Sequence, residues 1–320
     1  MKRFLIKVVF FLALVWLMAW SLDWMICQGL LKMEDYRFQD YSAMLNGGLE
    51  DEVLIMGNSR GKAHYDTFLI DSLGKTHSFC IGCGGYPLNI QLLKLHLYRE
   101  KNAKPSLIIQ ELDYGTPRLV SDVRHMHQSE QFFPLVYDRI GRRELKKVGY
   151  GFGELNLPLY RMYGYQQVIK NGIIEFMGLK HHVSRPAYKG HRSEEGDWDG
   201  SELRKMEPTP VYLSEEGKTL LQDYLSGCLA DSIQVVLVYS PMYVGAQQKL
   251  LGLEELRHFF SETAHQYGFT YLDYLDCPIC EDTGNFCVSV HMNETADKVF
   301  TRMLCDTLGR LGLLSPDPRE

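Results

Sequence analysis

A serine at a predicted strand-to-helix turn is the chain's candidate nucleophile. The four apolar residues 53–56 are typical of a short buried strand. Gly57 and Asn58 interrupt this pattern, and Ser59 follows just before an amphipathic segment. The strand end would hold the serine rigidly, and a helix N-terminus would supply backbone N–H groups for an oxyanion. Alternatively, Ser59 only caps the helix, because serine is favoured at that position.

A histidine near the C-terminus is the candidate partner of this serine. His291 lies in a predicted loop just before the last predicted helix, 293–311. Such a loop opens on the same edge of a parallel sheet as the turn that carries Ser59, so a nucleophile–base pair is geometrically reasonable. His64 follows Ser59 closely, and it could face the same site or lie on the surface of its helix.

Two further turns could complete a site for acyl transfer. Glycines crowd the end of the second predicted strand, Gly82-Cys83-Gly84-Gly85. They indicate either a plain tight turn or a backbone that approaches a substrate closely, with an N–H of Gly84 or Gly85 aimed at an oxyanion. Asp113 ends the third predicted strand, at the edge where open α/β sheets bind ligands.

The elements that must position these residues alternate regularly. Helical segments separate five short apolar strands, at about 53–56, 78–81, 106–112, 233–239 and 269–272. This order predicts an α/β domain with a parallel sheet covered on both faces.

The stretch from about 116 to 213 breaks this alternation. We predict that it is a partly helical insertion that forms a lid or a partner surface. His181, His182 and His191 occur in this stretch without a carboxylate or cysteine at ligand spacing, and we expect them to be solvated loop residues.

The N-terminus is apolar enough to cross a membrane. Lys2 and Arg3 precede an apolar run, 4–22, that only Lys7 interrupts. The run is long enough to span a bilayer, and the leading cations predict a cytoplasmic N-terminus. A cleaved signal peptide is the alternative, but it would need small residues at a cleavage site. We expect an uncleaved anchor at 1–26, a connector at 27–52 and an extracytoplasmic domain at 53–320.

Charge and cysteine content limit the other possibilities. The net charge of −6 gives no reason to expect a nucleic-acid partner. Eight cysteines in an extracytoplasmic domain could form disulfides. Two C-x-x-C pairs, Cys80/Cys83 and Cys277/Cys280, could together bind zinc, although free cysteines are often small core residues. A bridge from Cys277 or Cys280 to Cys287 is a further option, and the sequence does not fix the pairing.

These motifs resemble the conserved blocks of the SGNH (GDSL-like) hydrolases. The resemblance is to their membrane-anchored bacterial branch, which includes the D-alanyl transfer protein of teichoic-acid synthesis and polysaccharide O-acetylation proteins. In the first block, Ser59 would be the nucleophile and Asn58 replaces the usual Asp. The glycine turn resembles the second block, in which the N–H of Gly85 would help to form the oxyanion hole. Val288-Ser289-Val290-His291-Met292-Asn293 resembles the fifth block, with His291 as the base.

Two positions depart from the family pattern. Asp113 stands where the third block has an oxyanion-hole Asn, and a carboxylate there would repel an oxyanion unless it were protonated or turned away. Val288 replaces the Asp that normally accepts a hydrogen bond from the histidine and fixes its tautomer. A backbone carbonyl could orient His291 instead, which leaves a Ser–His dyad, or Asp282 could substitute from the same loop.

The resemblance implies a three-layer α/β/α flavodoxin-like domain with a five-stranded parallel sheet, plus one N-terminal transmembrane helix. It implies a serine esterase or O-acyltransferase that needs no metal or cofactor. Ser59 would attack the acyl ester, His291 would take and return the proton, and the N–H groups of Ser59 and Gly85 would hold the oxyanion. Asn58, Arg60 and His64 would be neighbours of this site.

The same resemblance implies where the protein acts. It predicts a single-pass protein of the bacterial cytoplasmic membrane whose catalytic domain faces the periplasm or cell surface. The substrate would be an acyl ester of a cell-envelope glycan, and the partner a membrane-bound O-acyltransferase.

Two alternatives stay open. The first is a catalytically weak or inactive scaffold of an envelope-modifying complex, which Val288 and Asp113 favour. The second is an α/β-hydrolase, because residues 57–61 also fit G-x-S-x-G. Those enzymes usually carry several strands before this motif, whereas Ser59 follows the first predicted strand after the anchor.

Overall fold

The computed structural model describes residues 1–35, 37–179, 188–196 and 198–315. The chain forms two compact units. Unit 1 consists of Met1–Asn46 and Ser121–Pro186, and unit 2 consists of Gly47–Val120 and Ala187–Glu320. The insertion predicted at about 116–213 is therefore not one body, because its first part groups with the N-terminal helix and its last part with the sheet.

The described residues form thirteen α-helices and four short 3₁₀ helices. The α-helices are α1 (Lys2–Leu30), α2 (Gln39–Asn46), α3 (Ser59–Ala63), α4 (Thr67–Gly74), α5 (Leu88–Lys101), α6 (Arg139–Lys147), α7 (Phe152–Asn156), α8 (Gln166–Phe176), α9 (Ser201–Lys205), α10 (Glu215–Ala230), α11 (Val244–Gln247), α12 (Leu253–Gln266) and α13 (Glu294–Arg310). The 3₁₀ helices are Ser129–Tyr137, Tyr160–Met162, Pro278–Glu281 and Thr283–Asn285.

Nine strands complete the secondary structure of the described residues. They are β1 (Val53–Met56), β2 (Ser78–Cys80), β3 (Leu107–Glu111), β4 (Thr209–Pro210), β5 (Gln234–Tyr239), β6 (Leu250–Leu251), β7 (Thr270–Asp273), β8 (Phe286–Val288) and β9 (His291–Met292).

Five of these strands form the main sheet of unit 2. Their order is β2-β1-β3-β5-β7, and every neighbouring pair is parallel. The predicted α/β fold with a five-stranded parallel sheet is confirmed. Because all five strands run the same way, their carboxyl ends share one edge. Gly57, Leu112 and Ser240 directly follow three adjacent strands at that edge.

Helices cover both faces of this sheet, which explains why its strands are mostly apolar. Val53, Ile55 and Val236 pack in one core cluster with Phe300 of α13, and α13 packs against α4. The opposite face includes Met56, whose Sδ lies 3.8 Å from the Tyr224 hydroxyl of α10. On that side α10 packs against α5.

The segment 188–196 lies along the edge strand β2. The N–H of Cys80 donates to the carbonyl oxygen of Lys189 at 2.8 Å, and the N–H of Arg192 donates to the carbonyl of Lys62 at 3.1 Å. His191 is only 6% exposed, and its Nδ1 lies 3.1 Å from the Lys62 carbonyl oxygen. The prediction of a solvated loop is therefore wrong for His191, because backbone pairing draws this segment into the core. His181 and His182 lie outside the described residues.

In unit 1, α1 extends beyond the predicted anchor to Leu30. The helix is long and apolar enough to cross a membrane, with a mean hydropathy of 2.3 over its best 18-residue window. Its residues up to 22 are mostly exposed, whereas Asp23, Ile26, Cys27 and Leu30 are buried. The last two turns of α1 are therefore part of the core of unit 1.

Two close contacts join α1 to the rest of unit 1. A Cβ on Gly29 would lie 1.7 Å from the carbonyl oxygen of Gly172 in α8, so the two helices touch where neither has a side chain. The buried Asp23 carboxylate accepts two hydrogen bonds from the Arg161 guanidinium, at 2.9 and 2.6 Å. It also accepts one from the Tyr137 hydroxyl at 2.6 Å.

Candidate active site

The serine and histidine that the sequence places at opposite ends of unit 2 meet at the sheet edge. Ser59 Oγ lies 3.0 Å from His291 Nε2, although the two residues are 232 positions apart. Ser59 begins α3 directly after the β1 turn, and His291 begins β9 just before α13. The distance is that of a hydrogen bond between a nucleophile and its base.

Ser59 is not the cap of α3. The N-cap is Asn58, whose Oδ1 accepts a hydrogen bond from the N–H of Arg60 at 2.9 Å. Asn58 thus performs the capping role that the sequence left open for Ser59, and the serine hydroxyl faces His291.

Gly57 shapes the turn between β1 and the serine. Its φ of +150° lies in a region that side chains disfavour, and an added Cβ would come within 2.6 Å of the Glu111 Cβ. Only glycine lets the turn pass this close to β3, so the position of Ser59 depends on it.

Burial sets the protonation state of His291. Burial, followed by the positive charge of Arg60, lowers the pKa of His291 to about 4. The ring is therefore neutral at pH 7 and can accept the proton of Ser59. For the Ser59 hydroxyl to donate to Nε2, the ring hydrogen must be on Nδ1.

No carboxylate of the described residues forms a hydrogen bond with the His291 ring. Val288 pairs with His291 across the β8–β9 bulge and offers no polar side chain. Asp282 is exposed and accepts a hydrogen bond from the N–H of Gly284 at 2.8 Å. The suggestion that Asp282 substitutes for the missing Asp is wrong, because its side chain caps the turn at 283–285 instead.

His64 contacts both the His291 ring and the backbone next to it. It is fully buried, and its Nε2 accepts a hydrogen bond from the N–H of Met292, the residue after His291, at 3.2 Å. The two histidine rings pack edge to face with centroids 5.8 Å apart. Of the two placements that the sequence allowed, the structure brings His64 to the site and not to the surface.

The tautomer of His64 follows from these contacts. A backbone N–H can only donate, so Nε2 is the acceptor and Nδ1 carries the hydrogen. Nδ1 lies 2.7 Å from Ser240 Oγ, which therefore accepts it. Burial, followed by the charge of Arg60, holds the pKa of His64 well below its usual range, so the ring is neutral.

A buried ion pair supports this histidine in turn. Arg60 Nε lies 3.2 Å from Glu111 Oε1, and both side chains are almost inaccessible. Ser240 Oγ donates to Glu111 Oε1 at 2.8 Å and accepts from Arg60 Nη2 at 2.9 Å. The Tyr65 hydroxyl donates to the other Glu111 oxygen.

Burial and the mutual attraction of Arg60 and Glu111 shift the pKa of each group in opposite directions. Burial raises the pKa of Glu111 to about 7, although the Arg60 charge opposes the shift. Burial alone would lower the pKa of the Arg60 guanidinium, but the Glu111 carboxylate, together with weaker contributions from neighbouring side chains, raises it overall. The sequence placed Arg60 near the site but gave no role to Glu111 or Ser240. Their only signal was their position at the ends of buried strands.

The Asp113 side chain lies next to Asn58, where it accepts hydrogen bonds. Its carboxylate accepts hydrogen bonds from Asn58 Nδ2, from the N–H of Gly115 at 2.9 Å and from Thr116 Oγ1 at 3.1 Å. Asp113 therefore holds the Asn58 side chain that caps α3. The oxyanion role suggested for Asp113 is not supported for its side chain, because its carboxyl oxygens accept hydrogen bonds from these three neighbours.

The glycine turn is tied to the serine turn. The N–H of Cys83 donates to the carbonyl oxygen of Gly57 at 2.8 Å. Gly85 has a φ of +76°, and no atom lies within 4 Å of the position that a Cβ would take. The space beside the Gly85 Cα is therefore open.

Other groups hold the loop that carries His291. Ser289 Oγ donates to Glu202 Oε1 at 3.0 Å, and the N–H of Tyr243 donates to the carbonyl oxygen of Ser289 at 3.2 Å.

In the described part of the chain, no three or more His, Cys, Asp or Glu residues are grouped so that they could hold a metal ion.

Comparison of the chain with known protein families, curated proteins and solved structures finds no match. Function has to be inferred from the geometry of the site.

Proposed function

We propose that the protein is a serine esterase or O-acyltransferase of SGNH type. The observation that carries this proposal is the 3.0 Å contact between Ser59 Oγ and His291 Nε2 at the carboxyl edge of a parallel sheet. The strand order supports it, since β2-β1-β3-β5-β7 is the flavodoxin-like order 2-1-3-4-5 when the sheet strands are counted along the chain.

The proposed reaction has two half-steps. Ser59 Oγ attacks the carbonyl carbon of an acyl ester while its proton passes to His291 Nε2, and the N–H groups of Ser59 and Gly85 stabilise the oxyanion. His291 then returns the proton to the leaving alcohol, which leaves an acyl-serine. Water or an acceptor hydroxyl repeats the sequence in reverse, which gives hydrolysis or transfer.

In the proposed mechanism, Ser59 and His291 act as a dyad without a carboxylate that accepts a hydrogen bond from the His291 ring. The Met292 N–H, held by His64, fixes the backbone beside His291. This arrangement orients the ring but adds no negative charge to stabilise an imidazolium. We therefore expect slower chemistry than in a full triad, in which loss of the Asp function costs about 10⁴-fold in rate.

The proposed location is outside a bacterial cytoplasmic membrane, with α1 as a single-pass anchor. The burial of Asp23 and Ile26 in unit 1 supports an uncleaved helix, because cleavage would remove part of a folded core. The proposed substrate is an acyl ester of a cell-envelope glycan, and the proposed partner is a membrane-bound O-acyltransferase.

A scaffold with little or no activity is the second candidate. It is favoured by the lack of a carboxylate bonded to His291 among the described residues and by the Asp113 side chain, whose oxygens accept hydrogen bonds from Gly115 and Thr116. Such a protein would keep the fold but not an activated serine.

Labelling with a fluorophosphonate separates these candidates, because the probe reacts with activated serines. The full-length protein in detergent is compared with Ser59→Ala and His291→Ala. Ser72→Ala and His258→Ala are the matched controls, since both residues are exposed on helices. Labelling that is lost only in the two site variants supports the enzyme. If the folded wild-type protein does not label, the serine is not activated and the scaffold is favoured.

A further inference from the structure

One pair of cysteines is placed differently from the others. Cys277 Sγ and Cys280 Sγ lie 3.9 Å apart in the 3₁₀ turn that follows β7. Cys277 is partly exposed, whereas Cys280 is 2% exposed. A disulfide needs an S–S distance of about 2.05 Å, so the two sulfurs are close but not bonded.

The two sulfurs differ in chemistry as well as in access. The Cys280 thiol, and then the N–H groups of Ile279 and Cys280, lower the pKa of Cys277 to about 7. The neighbouring Cys277 sulfur and burial raise the pKa of Cys280. The partly exposed Cys277 sulfur is thus the better nucleophile at neutral pH, and the buried Cys280 sulfur keeps its proton.

The third cysteine of this region is not part of the pair. Cys287 Sγ lies against the carbonyl oxygens of His291 at 3.5 Å and Met292 at 3.7 Å. Burial raises the pKa of Cys287 to about 11. The sequence left open a bridge from Cys277 or Cys280 to Cys287, whereas the geometry favours Cys277–Cys280, a pairing that the sequence did not single out.

We propose that Cys277 and Cys280 form a redox-active dithiol that exchanges with disulfides. The Cys277 thiolate attacks one sulfur of an incoming disulfide, which forms a mixed disulfide and releases the first thiolate of the oxidant. Cys280 then loses its proton and attacks Cys277 Sγ, which closes the Cys277–Cys280 bridge and releases the second thiolate. Two electrons pass from the pair to the incoming disulfide, and the protons go to the released thiolates.

This site is tied to the loop of the proposed base. Asn285 Nδ2 donates to the carbonyl oxygen of Ile279 in the dithiol turn at 3.1 Å. The carbonyl oxygen of Asn285 accepts from the N–H of Asn293, two residues after His291, at 3.0 Å. The redox turn and the histidine loop are therefore neighbours in one hydrogen-bonded segment, although the dithiol chemistry does not depend on the proposed esterase.

The first test measures reactivity. The reduced full-length protein in detergent is treated with iodoacetamide at pH 7, and modified peptides are quantified by mass spectrometry. Glu-C is added to trypsin, because cleavage after Glu281 separates Cys277 and Cys280 from Cys287. Cys277 should react about 100-fold faster than Cys287, since its larger thiolate fraction outweighs its lower intrinsic nucleophilicity. Equal rates would overturn the assignment of Cys277 as the nucleophile.

The second test measures exchange with oxidised glutathione as the probe. In the wild type, the peptide with Cys277 and Cys280 should lose the mass of two hydrogens. Cys280→Ser should stop at a mixed disulfide on Cys277, whereas Cys277→Ser should form little adduct. Cys287→Ser is the matched control and should close the bridge like the wild type. A bridge that includes Cys287, or two free thiols in excess oxidised glutathione, would refute the proposal.

Discussion

The N–H of Met292 donates a hydrogen bond to Nε2 of His64, and this 3.2 Å contact places a second histidine directly behind the proposed base. Met292 is the neighbour of His291 in the chain, so the contact fixes the backbone from which the His291 ring projects. His64 is fixed by Ser240, and Ser240 by the Arg60–Glu111 pair. Val288 offers no carboxylate, and these contacts support the backbone beside His291 without adding a charge to its ring.

Substitution of His64 should slow the serine. In His64→Ala the buried N–H of Met292 loses its acceptor, which costs about 1–3 kcal/mol of stability. Movement of the base by a fraction of an ångström should slow fluorophosphonate labelling about 10- to 100-fold. His64→Gln should recover part of the rate, because its side-chain oxygen can accept from Met292. Labelling rates and thermal unfolding are measured together, with His258→Ala as the control. A folded His64→Ala that labels at the wild-type rate would exclude a positioning role.

The low pKa of His291 should appear in the pH profile. The ring is an active base only when neutral, and its pKa is lowered to about 4. Labelling should therefore stay constant from pH 8 down to about 5 and fall about tenfold per pH unit below 4. A histidine in water would lose activity near its ordinary pKa of about 6.5. Circular dichroism at each pH reports the folded fraction. A midpoint near 6.5 would show that the base is solvated.

The sheet could be predicted from the sequence because its strands are short continuous apolar runs. Each of Val53–Met56, Leu107–Glu111 and Gln234–Tyr239 lies within a residue or two of its predicted range. The boundary of the insertion could not be predicted in this way. Residues 188–196 look like a polar loop, and only their backbone pairing with Cys80 and Lys62 shows that they belong to unit 2.

The candidate site could be predicted only in part. Ser59 and His291 stand out because their motifs carry local signals, and the structure brings them together. The ion pair behind them is hidden from local patterns, since Glu111 meets Ser240 across 129 residues. Asn58 rather than Ser59 caps α3, and propensity alone does not separate two adjacent residues that both favour capping.

Gly57→Ala should disrupt the serine turn. The new Cβ would meet the Glu111 Cβ at 2.6 Å, in a conformation that alanine disfavours. Loss of about 3 kcal/mol or more of stability is expected, together with loss of labelling. Gly252→Ala separates the two causes, because Gly252 has a φ of +89° and no atom within 4 Å of its Cβ position. That control should lose only about 1–2 kcal/mol from strain. If chemical denaturation gives equal losses in the free energy of unfolding for Gly57→Ala and Gly252→Ala, the structure relieves the clash between the new Cβ and Glu111.

The buried Asp23 should hold the last turns of α1 within unit 1. Asp23→Ala removes the partner of Arg161, whose side chain is 4% exposed, and leaves a buried charge without its carboxylate. Breaking such a pair costs about 3–5 kcal/mol, so unit 1 should open. Trypsin should then cleave faster after Lys170 in α8, as followed by mass spectrometry of the full-length protein in detergent.

Asp306→Ala is the control, because this residue lies on the exposed side of α13 in unit 2. Unchanged cleavage after Lys170 in Asp23→Ala would show that contacts such as Gly29–Gly172 hold the helix without the ion pair. A fluorophosphonate rate that stays at the wild-type value while cleavage increases would show that the serine site does not need an intact unit 1.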